Sequence, residues 1–394
     1  MHAVVIGAGF VGLSTAFRLL EAGCRVTLLD PAGPAGGASF GNAGTFANYA
    51  CIPINHPSIF RDWPSLLTAA DSPLALRAGY LPKALPWLGR FLLASTARRS
   101  TASSEALARL LNRAAAPYET LIAATGLEPQ VSRRECLYVY SSERGFQRQR
   151  PSLDLRERLG VRFDVLDAAG IQALEPGLAP IFQHGVLFHG SWFLRNPAEF
   201  LRLLHARLVS MGLTSLPQTV ERIHSRGSGL AVRTGTGDTL SCDRVVLAAG
   251  AHSKRLAAQC GDRVPMDTER GYHVRFADAG NRLGRPVGWA ERGFYLTPMA
   301  NSLRAAGTVE IGGFHRRHRA RLTGLLRRAA NEAVPGLGEG CDDWLGFRPT
   351  LPDGLPVIGP SRNSPGVVHA FGHQHLGLTL GALTGALVAD RLTG

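Results

Sequence analysis

The chain has 394 residues, 45% of them hydrophobic and 19% charged, which is enough to form two or three domain-sized units and excludes a disordered or low-complexity protein. The formal net charge of +13 would suit nucleic acid or an anionic membrane as a partner. Only two of the 43 basic residues are lysine, however, and the arginines are scattered without interleaved aromatic residues, so we expect no nucleic-acid partner.

The first thirty residues predict a strand, a tight turn, a helix and a second strand. Residues 3–6 form a continuous apolar run, which is typical of a parallel strand buried on both faces. Apolar residues then repeat at helical spacing from Leu13 to Leu20, and Gly23 stands where this helix would end. Residues 25–29 are predicted to form the second strand.

The turn after the first strand carries a G-x-G-x-x-G motif. Gly7 permits the tight turn, Gly9 lets the backbone approach a pyrophosphate, and Gly12 lets the helix pack closely on the strand. The helix N-terminus receives the diphosphate, and Asp30 can accept hydrogen bonds from a ribose 2′-hydroxyl, which argues against NADP. A glycine-rich turn of another α/β fold is the alternative. The predicted dinucleotide site here comprises Gly7, Gly9, Phe10, Val11, Gly12, Asp30 and Pro31.

Residues 36–44, GGASFGNAG, favour FAD over NAD. An NAD-binding domain would have a surface loop and a helix at this position, whereas small residues and turn formers here surround Ser39 and Asn42. This composition suits backbone and short side chains wrapped against the second half of a dinucleotide. A flexible loop is the alternative.

Two later stretches are predicted strands near the same ligand. Residues 243–253, DRVVLAAGAHS, contain a buried strand that ends at Ala249 and Gly250. Residues 219–223 contain Val220, whose backbone could meet an adenine edge. Plain sheet core is the alternative for both stretches.

The middle of the chain predicts a helix over residues 197–210, with Asn196 as N-cap and Pro197 at its first position. Residues 76–99 interleave leucine, Trp87 and Phe91 with basic residues near the ends. They allow a peripheral membrane contact or an amphipathic helix that covers a domain, and we favour the covering helix. Further strands are predicted at residues 136–140, 186–188, 271–276, 293–298 and 303–307.

Taken together, these motifs resemble the FAD-dependent oxidoreductases of the D-amino-acid oxidase superfamily. The resemblance extends from residue 1 to 394 and is weakest over about 55–190. The segments NAG and RGYHV look closest to the bacterial D-amino-acid dehydrogenases. The motifs that carry the resemblance are the N-terminal glycines, Ser39 with Asn42, Ala43 and Gly44, residues 245–253, GFRPTLPDGLPVIG at 346–359 and GHQHLG at 372–377.

The resemblance implies an α/β fold with two domains. The first is a discontinuous, Rossmann-like FAD-binding domain, to which we assign residues 1–50, 191–262 and 340–394. The second is an α+β substrate domain built on a mixed or antiparallel sheet, to which we assign residues 51–190 and 263–339. Further FAD contacts are expected at Gly346, Gly372, His373, Gly377, Leu378 and Thr379.

The resemblance also implies the chemistry. We expect hydride transfer from the substrate to flavin N5, giving an imino acid that hydrolyses in water. Arg348 is expected to hold the substrate carboxylate in a bidentate fork, and Tyr272 to border the substrate. His273, as the next residue of a strand, should then point to the other face. Because Cys341 does not match the motif of a covalent flavin link, we expect non-covalent FAD.

Three histidines in HAFGHQHLGLTLG, residues 369–381, raise the question of a metal site. No cysteine or histidine cluster elsewhere would complete the ligand set, so we predict no metal. Residues 367–371 are instead the predicted last strand, followed by a loop past the flavin and a helix from about Leu378. His375 is expected to help Arg348 hold the substrate, or to make the polarity of the pocket depend on pH.

The predicted function is oxidative deamination of a small or cyclic D-amino acid, with D-proline and hydroxy-D-proline as examples, and with a quinone or dye as electron acceptor. The alternatives are a glycine- or sarcosine-type oxidase that uses O₂, a flavin-binding subunit of a larger dehydrogenase, and an NAD-binding regulatory protein without turnover.

The sequence also gives an expectation about location. The apolar N-terminus lacks a basic region and is broken by glycines, so we expect no signal peptide. No run of about 18 apolar residues predicts a transmembrane helix. The six cysteines are far apart, as suits a reducing compartment. We expect a cytoplasmic protein. Attachment to the inner face of the cytoplasmic membrane is the alternative.

Overall fold

The computed structural model describes residues 1–57, 60, 74–227 and 229–394. In chain order the strands are β1 (His2–Ile6), β2 (Arg25–Leu29), β3 (Thr45–Phe46), β4 (Leu74–Leu76), β5 (Val131–Ser132), β6 (Cys136–Tyr140), β7 (Phe163–Asp167), β8 (His184–Phe188), β9 (Trp192–Leu194), β10 (Thr214–Leu216), β11 (Val220–Arg226), β12 (Gly229–Thr234), β13 (Thr239–Cys242), β14 (Arg244–Leu247), β15 (Asp267–Ala277), β16 (Val287–Trp289), β17 (Phe294–Met299), β18 (Ser302–Ile311), β19 (Asp342–Thr350), β20 (Val357–Pro360) and β21 (Val367–Phe371). The helices are α1 (Phe10–Glu21), α2 (Leu81–Ala94), α3 (Ala97–Leu111), α4 (Ala115–Thr125), α5 (Glu143–Arg158), α6 (Ala168–Leu174), α7 (Pro197–Ser210), α8 (Ser253–Gln259), α9 (Ala320–Ala333) and α10 (Gly377–Thr393).

Six strands form a mainly parallel sheet in the order β10-β2-β1-β14-β21-β20. Its neighbouring pairs are parallel except β20 with β21. The central strands are apolar and buried on both faces, as the continuous run at residues 3–6 predicts. The predicted strands at 25–29 and 367–371 are observed with those bounds, and Gly23 takes φ +73° just beyond α1. The predicted Rossmann-like unit is confirmed.

A second, nine-stranded sheet has the order β19-β15-β18-β17-β16-β6-β8-β7, with β4 beside β18. Two of its pairs, β6 with β16 and β4 with β18, are parallel, and the others are antiparallel. The predicted strand at 136–140 has the same bounds in the structure, and the other four predicted strands are extended or shifted by a few residues. The mixed sheet of the second domain is confirmed.

Strand β19 requires a correction to the predicted domain boundary. The prediction placed residues 340–394 in the FAD-binding domain, but Asp342–Thr350 pairs along its whole length with β15 of the nine-stranded sheet. The six-stranded sheet resumes only at β20. Strand β19 therefore belongs to the second sheet and lies at the border between the two units.

The stretch at 76–99 forms parts of two helices and packs against the second sheet. Trp87 and Phe91 stack with ring centroids 5.2 Å apart and are buried, and Trp87 Nε1 donates to Thr350 O at 3.1 Å. The aromatic residues that suggested membrane contact thus face the protein, as in the covering helix that we favoured. Among the described residues, no helix is both long enough and apolar enough to cross a membrane.

Helices α1 and α10 lie side by side on the six-stranded sheet. A Cβ on Gly381 would lie 3.2 Å from the backbone of Phe10, and a Cβ on Gly385 would lie 2.5 Å from Ser14 O. Because position 381 meets 10 and position 385 meets 14, the helices run parallel. Their N-termini therefore point to the same edge of the sheet, where β1 and β21 end.

Helix α7 begins and ends where the sequence predicts. The side chain of Asn196 accepts a hydrogen bond from Glu199 N at 3.1 Å, and Pro197 is the first helical residue. This cap satisfies one of the free amides at the helix start, which explains why Asn196 marks the boundary so clearly.

Candidate functional site

The glycine motif has the geometry that a dinucleotide turn requires. Gly7 has φ +112°, and a Cβ there would lie 2.4 Å from Ala248 O. A Cβ on Gly12 would lie 1.8 Å from Gly7 O. Gly9 differs, because a Cβ there would meet only the Ser39 hydroxyl, at 2.9 Å. Gly7 and Gly12 thus allow close packing within the protein, whereas the backbone at Gly9 is open to a ligand.

The N-terminus of α1 is available to an anion. Its N-cap, Gly9, offers no side-chain acceptor, and Phe10 N donates only a long 3.4 Å bond to Ser39 Oγ. In the part of the chain that the structure describes, the amides of Val11 and Gly12 have no acceptor. These amides and the positive end of the helix dipole favour a phosphate at this position.

Asp30 closes the turn from the side of β2. Its Oδ2 accepts from Ala8 N at 2.8 Å and its Oδ1 from Ala32 N at 2.9 Å. A carboxylate has about four acceptor positions, so two remain for other donors. Pro31 follows as an exposed turn residue. This arrangement allows the predicted contact with ribose hydroxyls.

The loop at residues 36–44 is clamped onto the second sheet. His273 Nδ1 donates to Gly41 O at 3.3 Å, and the guanidinium of Arg304 donates to the carbonyls of Phe40 and Asn42. A Cβ on Gly41 would lie 2.1 Å from the ring of Trp344. The loop is therefore held by side chains of the second sheet.

Burial shifts the pKa values of the two side chains that hold this loop, Arg304 and His273. It lowers the pKa of Arg304 to about 10, with a further contribution from Arg275, and it lowers the pKa of His273 to about 3. His273 is therefore neutral, while Arg304 keeps its charge at neutral pH. Within the loop, Asn42 Oδ1 accepts from Gly44 N at 2.8 Å, which orders Ala43 between them.

Other predicted contacts lie at strand ends. Ala249 and Gly250 follow β14 at the same sheet edge as Gly7 and are partly exposed. Val220 begins β11, and its carbonyl accepts from Arg255 Nη2 at 2.8 Å. Arg255 therefore already occupies part of the backbone edge of this strand. A contact between Val220 and the adenine ring remains a prediction.

Arg348 projects from the face of the second sheet that carries the clamped loop. In the register of β15 and β19, Glu269 pairs with Arg348, Gly271 with Gly346, and His273 with Trp344. Paired residues share a face, so Arg348 stands on the same face as His273. A Cβ on Gly271 would lie 2.5 Å from the Arg348 guanidinium, which therefore extends over this glycine. The side chain has no hydrogen-bond or ion-pair partner among the described residues.

Glu269 is the acidic neighbour of Arg348. Its side chain is only 3% exposed, and burial raises its pKa to about 7, although Arg348 and the Thr350 hydroxyl oppose this rise. Glu269 is thus partly protonated at neutral pH. The pair then carries a net positive charge, which suits the binding of a carboxylate.

His375 lies next to Arg348. Its loop is tied to β19 by Gln374 N, which donates to Pro349 O at 3.0 Å. The His375 side chain is exposed, yet the surrounding protein lowers its pKa to about 4 and the charge of Arg348 adds to this. The side chain is therefore neutral from about pH 5 upward.

The start of α10 is ordered from inside the protein. His373 is buried, its Nε2 lies 2.9 Å from Thr384 Oγ1, and burial lowers its pKa to about 3. Thr379 Oγ1 accepts from Ala47 N at 3.0 Å, and Tyr118 donates to Leu378 O. These contacts fix the helix start at Gly377, close to the predicted Leu378.

The predicted residue Tyr272 lies elsewhere. Tyr272 points to the face of β15 opposite Arg348, and its hydroxyl donates to Glu310, the partner of Arg270. The structure does not bring Tyr272 to Arg348, because alternate residues of a strand face opposite sides. The alternation was expected, and the structure places His273 rather than Tyr272 on the face of Arg348.

The glycines predicted near the C-terminus are also engaged by protein. A Cβ on Gly346 would lie 1.9 Å from the ring of Trp344, which covers this glycine. Gly346 is therefore not an open backbone contact. Gly372 has φ +87°, and a Cβ there would lie 2.2 Å from Leu351. It allows the turn between β21 and the loop.

Two tyrosines also lie on this face of the second sheet. Ala306 of β18 pairs with both Tyr295 and His273, so Tyr295 lies on the same face as the clamped loop. Its hydroxyl bonds to that of Tyr138, and both side chains are partly exposed. Strand register determines this placement, and it cannot be read from one sequence.

No group of three or more histidine, cysteine, aspartate or glutamate side chains within the described ranges could hold a metal ion. All six cysteines are free thiols, and Cys341 Sγ lies 3.3 Å from Arg275 O.

Comparisons with known proteins agree with this geometry. The family model described as DAO, FAD dependent oxidoreductase, matches residues 2–391. A D-amino-acid oxidase of Bradyrhizobium diazoefficiens is 36% identical over 100% of this chain and 95% of that protein. A D-amino acid dehydrogenase of Methylobacterium nodulans is 28% identical over 100% of this chain and 96% of that protein.

Solved structures show the same fold. Glycine oxidase from Geobacillus kaustophilus has a TM-score of 0.74 at 24% identity, covering 99% of this chain and 94% of that one. L-proline dehydrogenase from P. horikoshii has a TM-score of 0.75 at 15% identity, covering 99% and 92%. The predicted resemblance and the predicted FAD dependence are confirmed: the chain belongs to the DAO family of FAD-dependent oxidoreductases.

Proposed function

We propose that the chain oxidises a D-amino acid to its imino acid. The observation that carries this proposal is Arg348, a guanidinium without a described partner, on the sheet face that holds the 36–44 loop. An unpaired arginine in a cleft is costly unless a ligand completes it, and its planar fork matches a carboxylate. The relatives named D-amino-acid oxidase and D-amino acid dehydrogenase support this substrate class.

The residues present fit FAD. The open backbone at Gly9 and the free amides of Val11 and Gly12 would hold the diphosphate, and the remaining acceptor positions of Asp30 would hold ribose hydroxyls. The uncapped N-terminus of α10 points to the same sheet edge and would stabilise negative charge there. We propose that these contacts hold FAD without a covalent bond. Bound FAD supplies the acceptor for the hydride from the substrate Cα.

The protein side chains would orient the substrate. Arg348 would bind the carboxylate through two parallel hydrogen bonds, which fixes the position and the plane of the carboxylate. His375, neutral at physiological pH, would add a hydrogen bond without adding charge. The clamped loop would exclude water from the opposite side. The imino acid would hydrolyse after release.

The side chain of the substrate is the finer part of the proposal. We favour a small or cyclic D-amino acid, such as D-proline or hydroxy-D-proline, because Tyr138 and Tyr295 add bulk to the same sheet face. Glycine oxidase and L-proline dehydrogenase share this fold, so a panel that includes glycine, sarcosine and both proline enantiomers is the direct test.

The acceptor that reoxidises the flavin would be a quinone or dye. A quinone is dissolved in the membrane, so this proposal includes a peripheral contact through residues 76–99. Oxygen consumption during turnover would instead identify an oxidase.

The test of the proposed function is anaerobic bleaching of the flavin by the amino-acid panel, in wild type and in Arg348→Ala. Two charge-assisted hydrogen bonds contribute about 3 kcal/mol or more, so the variant should need at least about 100-fold more D-amino acid while keeping its FAD absorbance. Arg362→Ala, at an exposed position beyond β20, is the matched control and should bleach normally. Unchanged substrate affinity in Arg348→Ala would contradict the carboxylate role.

A further inference from the structure

Helix α2 has two contrasting faces. Its inner face, with Ala84, Trp87, Leu88 and Phe91, packs on the protein. Its outer face presents Leu81, Leu85 and Leu93, which are 39%, 57% and 59% exposed. These leucines are four and eight residues apart and form a broad apolar ridge. Because Trp87 anchors the inner face to Thr350, the ridge has a fixed orientation.

A second exposed segment lies beside the start of this helix. Arg77 N donates to Ile311 O at 3.0 Å, and a Cβ on Gly313 would lie 2.6 Å from the ring of Tyr80. The next residue, Phe314, is 50% exposed and stacks on His252 at 4.8 Å. Ridge and loop therefore form one surface, which we call the α2 surface: Leu81, Lys83, Leu85, Arg90, Leu93, Phe314, Arg316 and Arg317.

The two segments that carry the α2 surface are strongly basic. Residues 74–104 contain five basic and no acidic residues, and residues 311–331 contain six arginines and no acidic residue. Arg319 and Arg327 lie near Glu310 and Asp343, at the flanks. Arg316 and Arg317 are exposed beside Phe314. The surface thus combines exposed apolar side chains with positive charge.

We infer that the α2 surface binds an anionic lipid bilayer. Transfer of leucine side chains from water into the membrane interface is favourable, because it lowers their free energy. The surrounding basic residues are attracted to anionic headgroups. Nucleic acid would use the charges but not the leucines, since its bases stack on aromatic rings. The membrane contact itself does not depend on the proposed function. Only its purpose, access to an electron acceptor dissolved in the membrane, rests on that function.

The test is co-sedimentation of the FAD-loaded chain with vesicles, without substrate, so that it fails or succeeds independently of catalysis. Vesicles of phosphatidylcholine alone are compared with vesicles that also contain phosphatidylglycerol. We expect binding only to the anionic vesicles, and a loss of at least about tenfold in Leu85→Glu and in the double variant Arg316→Glu with Arg317→Glu.

Matched controls lie on the exposed face of α7. Leu203→Glu, and Arg202→Glu combined with Arg207→Glu, make the same changes in charge and should alter binding by less than about twofold. Absence of wild-type binding, or equal losses in the controls, would overturn the inference. Binding that depends on the arginines but not on Leu85 would also overturn it and would indicate a general polyanion site.

Discussion

Glu269 and Arg348 face each other across β15 and β19, and their charges determine what the cleft can bind. With Glu269 protonated, Arg348 is free to bind an anion. With Glu269 ionised, its charge offsets Arg348 and repels a substrate carboxylate. Because burial raises the pKa of Glu269 to about 7, the change falls within the physiological range.

Substrate affinity should therefore weaken as pH rises. A bound carboxylate favours protonated Glu269 and raises its pKa further, so KM should rise above about pH 7, toward a limit of about tenfold per pH unit. The glutamine side chain in Glu269→Gln cannot ionise, so the KM of this variant should stay constant between about pH 6 and pH 8. This range covers about one pH unit on either side of the pKa of Glu269. Steady-state kinetics across this range measure the effect.

Glu175→Gln is the control for this prediction. Burial also raises the pKa of Glu175, but its partner is Arg285 rather than Arg348. The KM profile should keep its slope in this variant. A flat wild-type profile, or a slope that persists in Glu269→Gln, would assign the pH dependence to another group.

At this scale the sequence identified residues whose neighbours in the chain reveal their role. Arg348 was predicted from the family resemblance of the motif GFRP, and Gly7 and Gly12 from their spacing. Glu269, Trp344 and Arg304 were missed because their role depends on strand register and on the loop that packs across the sheet. Periodicity predicted that Tyr272 and His273 face opposite sides, but not which side faces the cleft.

The parallel pair of α1 and α10 positions two helix N-termini at one sheet edge. The helices approach closely only because Gly381 and Gly385 lack side chains. A separation of the pair would move both N-termini relative to Asp30 and Arg348. The spacing between these elements is therefore expected to control cofactor affinity.

Gly385→Ala should weaken FAD binding and lower stability. Its Cβ would lie 2.5 Å from Ser14 O, which is backbone and cannot move aside cheaply, so we expect a cost of about 1–3 kcal/mol. Fluorescence titration of the apoprotein with FAD and thermal unfolding measure the two effects.

Gly324→Ala on α9 is the matched control. Its Cβ would meet only Arg328 Nη1 at an ordinary 3.6 Å, and alanine is favoured over glycine in a helix by roughly 1 kcal/mol. It should be neutral or stabilising. Normal FAD affinity in Gly385→Ala would show that the helix spacing has no bearing on the cofactor.

Elements with a strong local signal were predictable from sequence. The bounds of β2, β6, β21 and α7 were predicted correctly, because continuous apolar runs and an Asn-Pro start mark them. The sheet to which β19 belongs was not predictable, since pairing with β15 is a long-range contact between strands that alternate similarly.

The 36–44 loop connects the six-stranded sheet with the nine-stranded sheet. The loop follows β2 of the first sheet and is held by His273 and Arg304 of the second. The proposed FAD contacts at Ser39 and Asn42 lie in this loop. Cofactor binding should therefore stabilise both sheets together.

Removal of FAD should lower the melting temperature of the whole chain in one transition. At 100 times its Kd, a ligand stabilises the folded state by about 2.7 kcal/mol. Calorimetry of the apo and FAD-loaded forms measures this. In Arg304→Met, which breaks the clamp, the second sheet should melt independently of FAD, whereas Arg362→Met should behave as wild type. Independent melting in the wild type would contradict the coupling.

The order of strands in the first sheet has a consequence for synthesis of the protein. Strand β14 lies between β1, from the start of the chain, and β21, from its end, and α10 packs against α1. While the ribosome is still translating the last segment, β14 has an unpaired edge and α1 an uncovered apolar flank. The segment that ends with β14 must wait for β21 before this sheet is complete, so chaperones that shield strand edges have their longest opportunity during this interval.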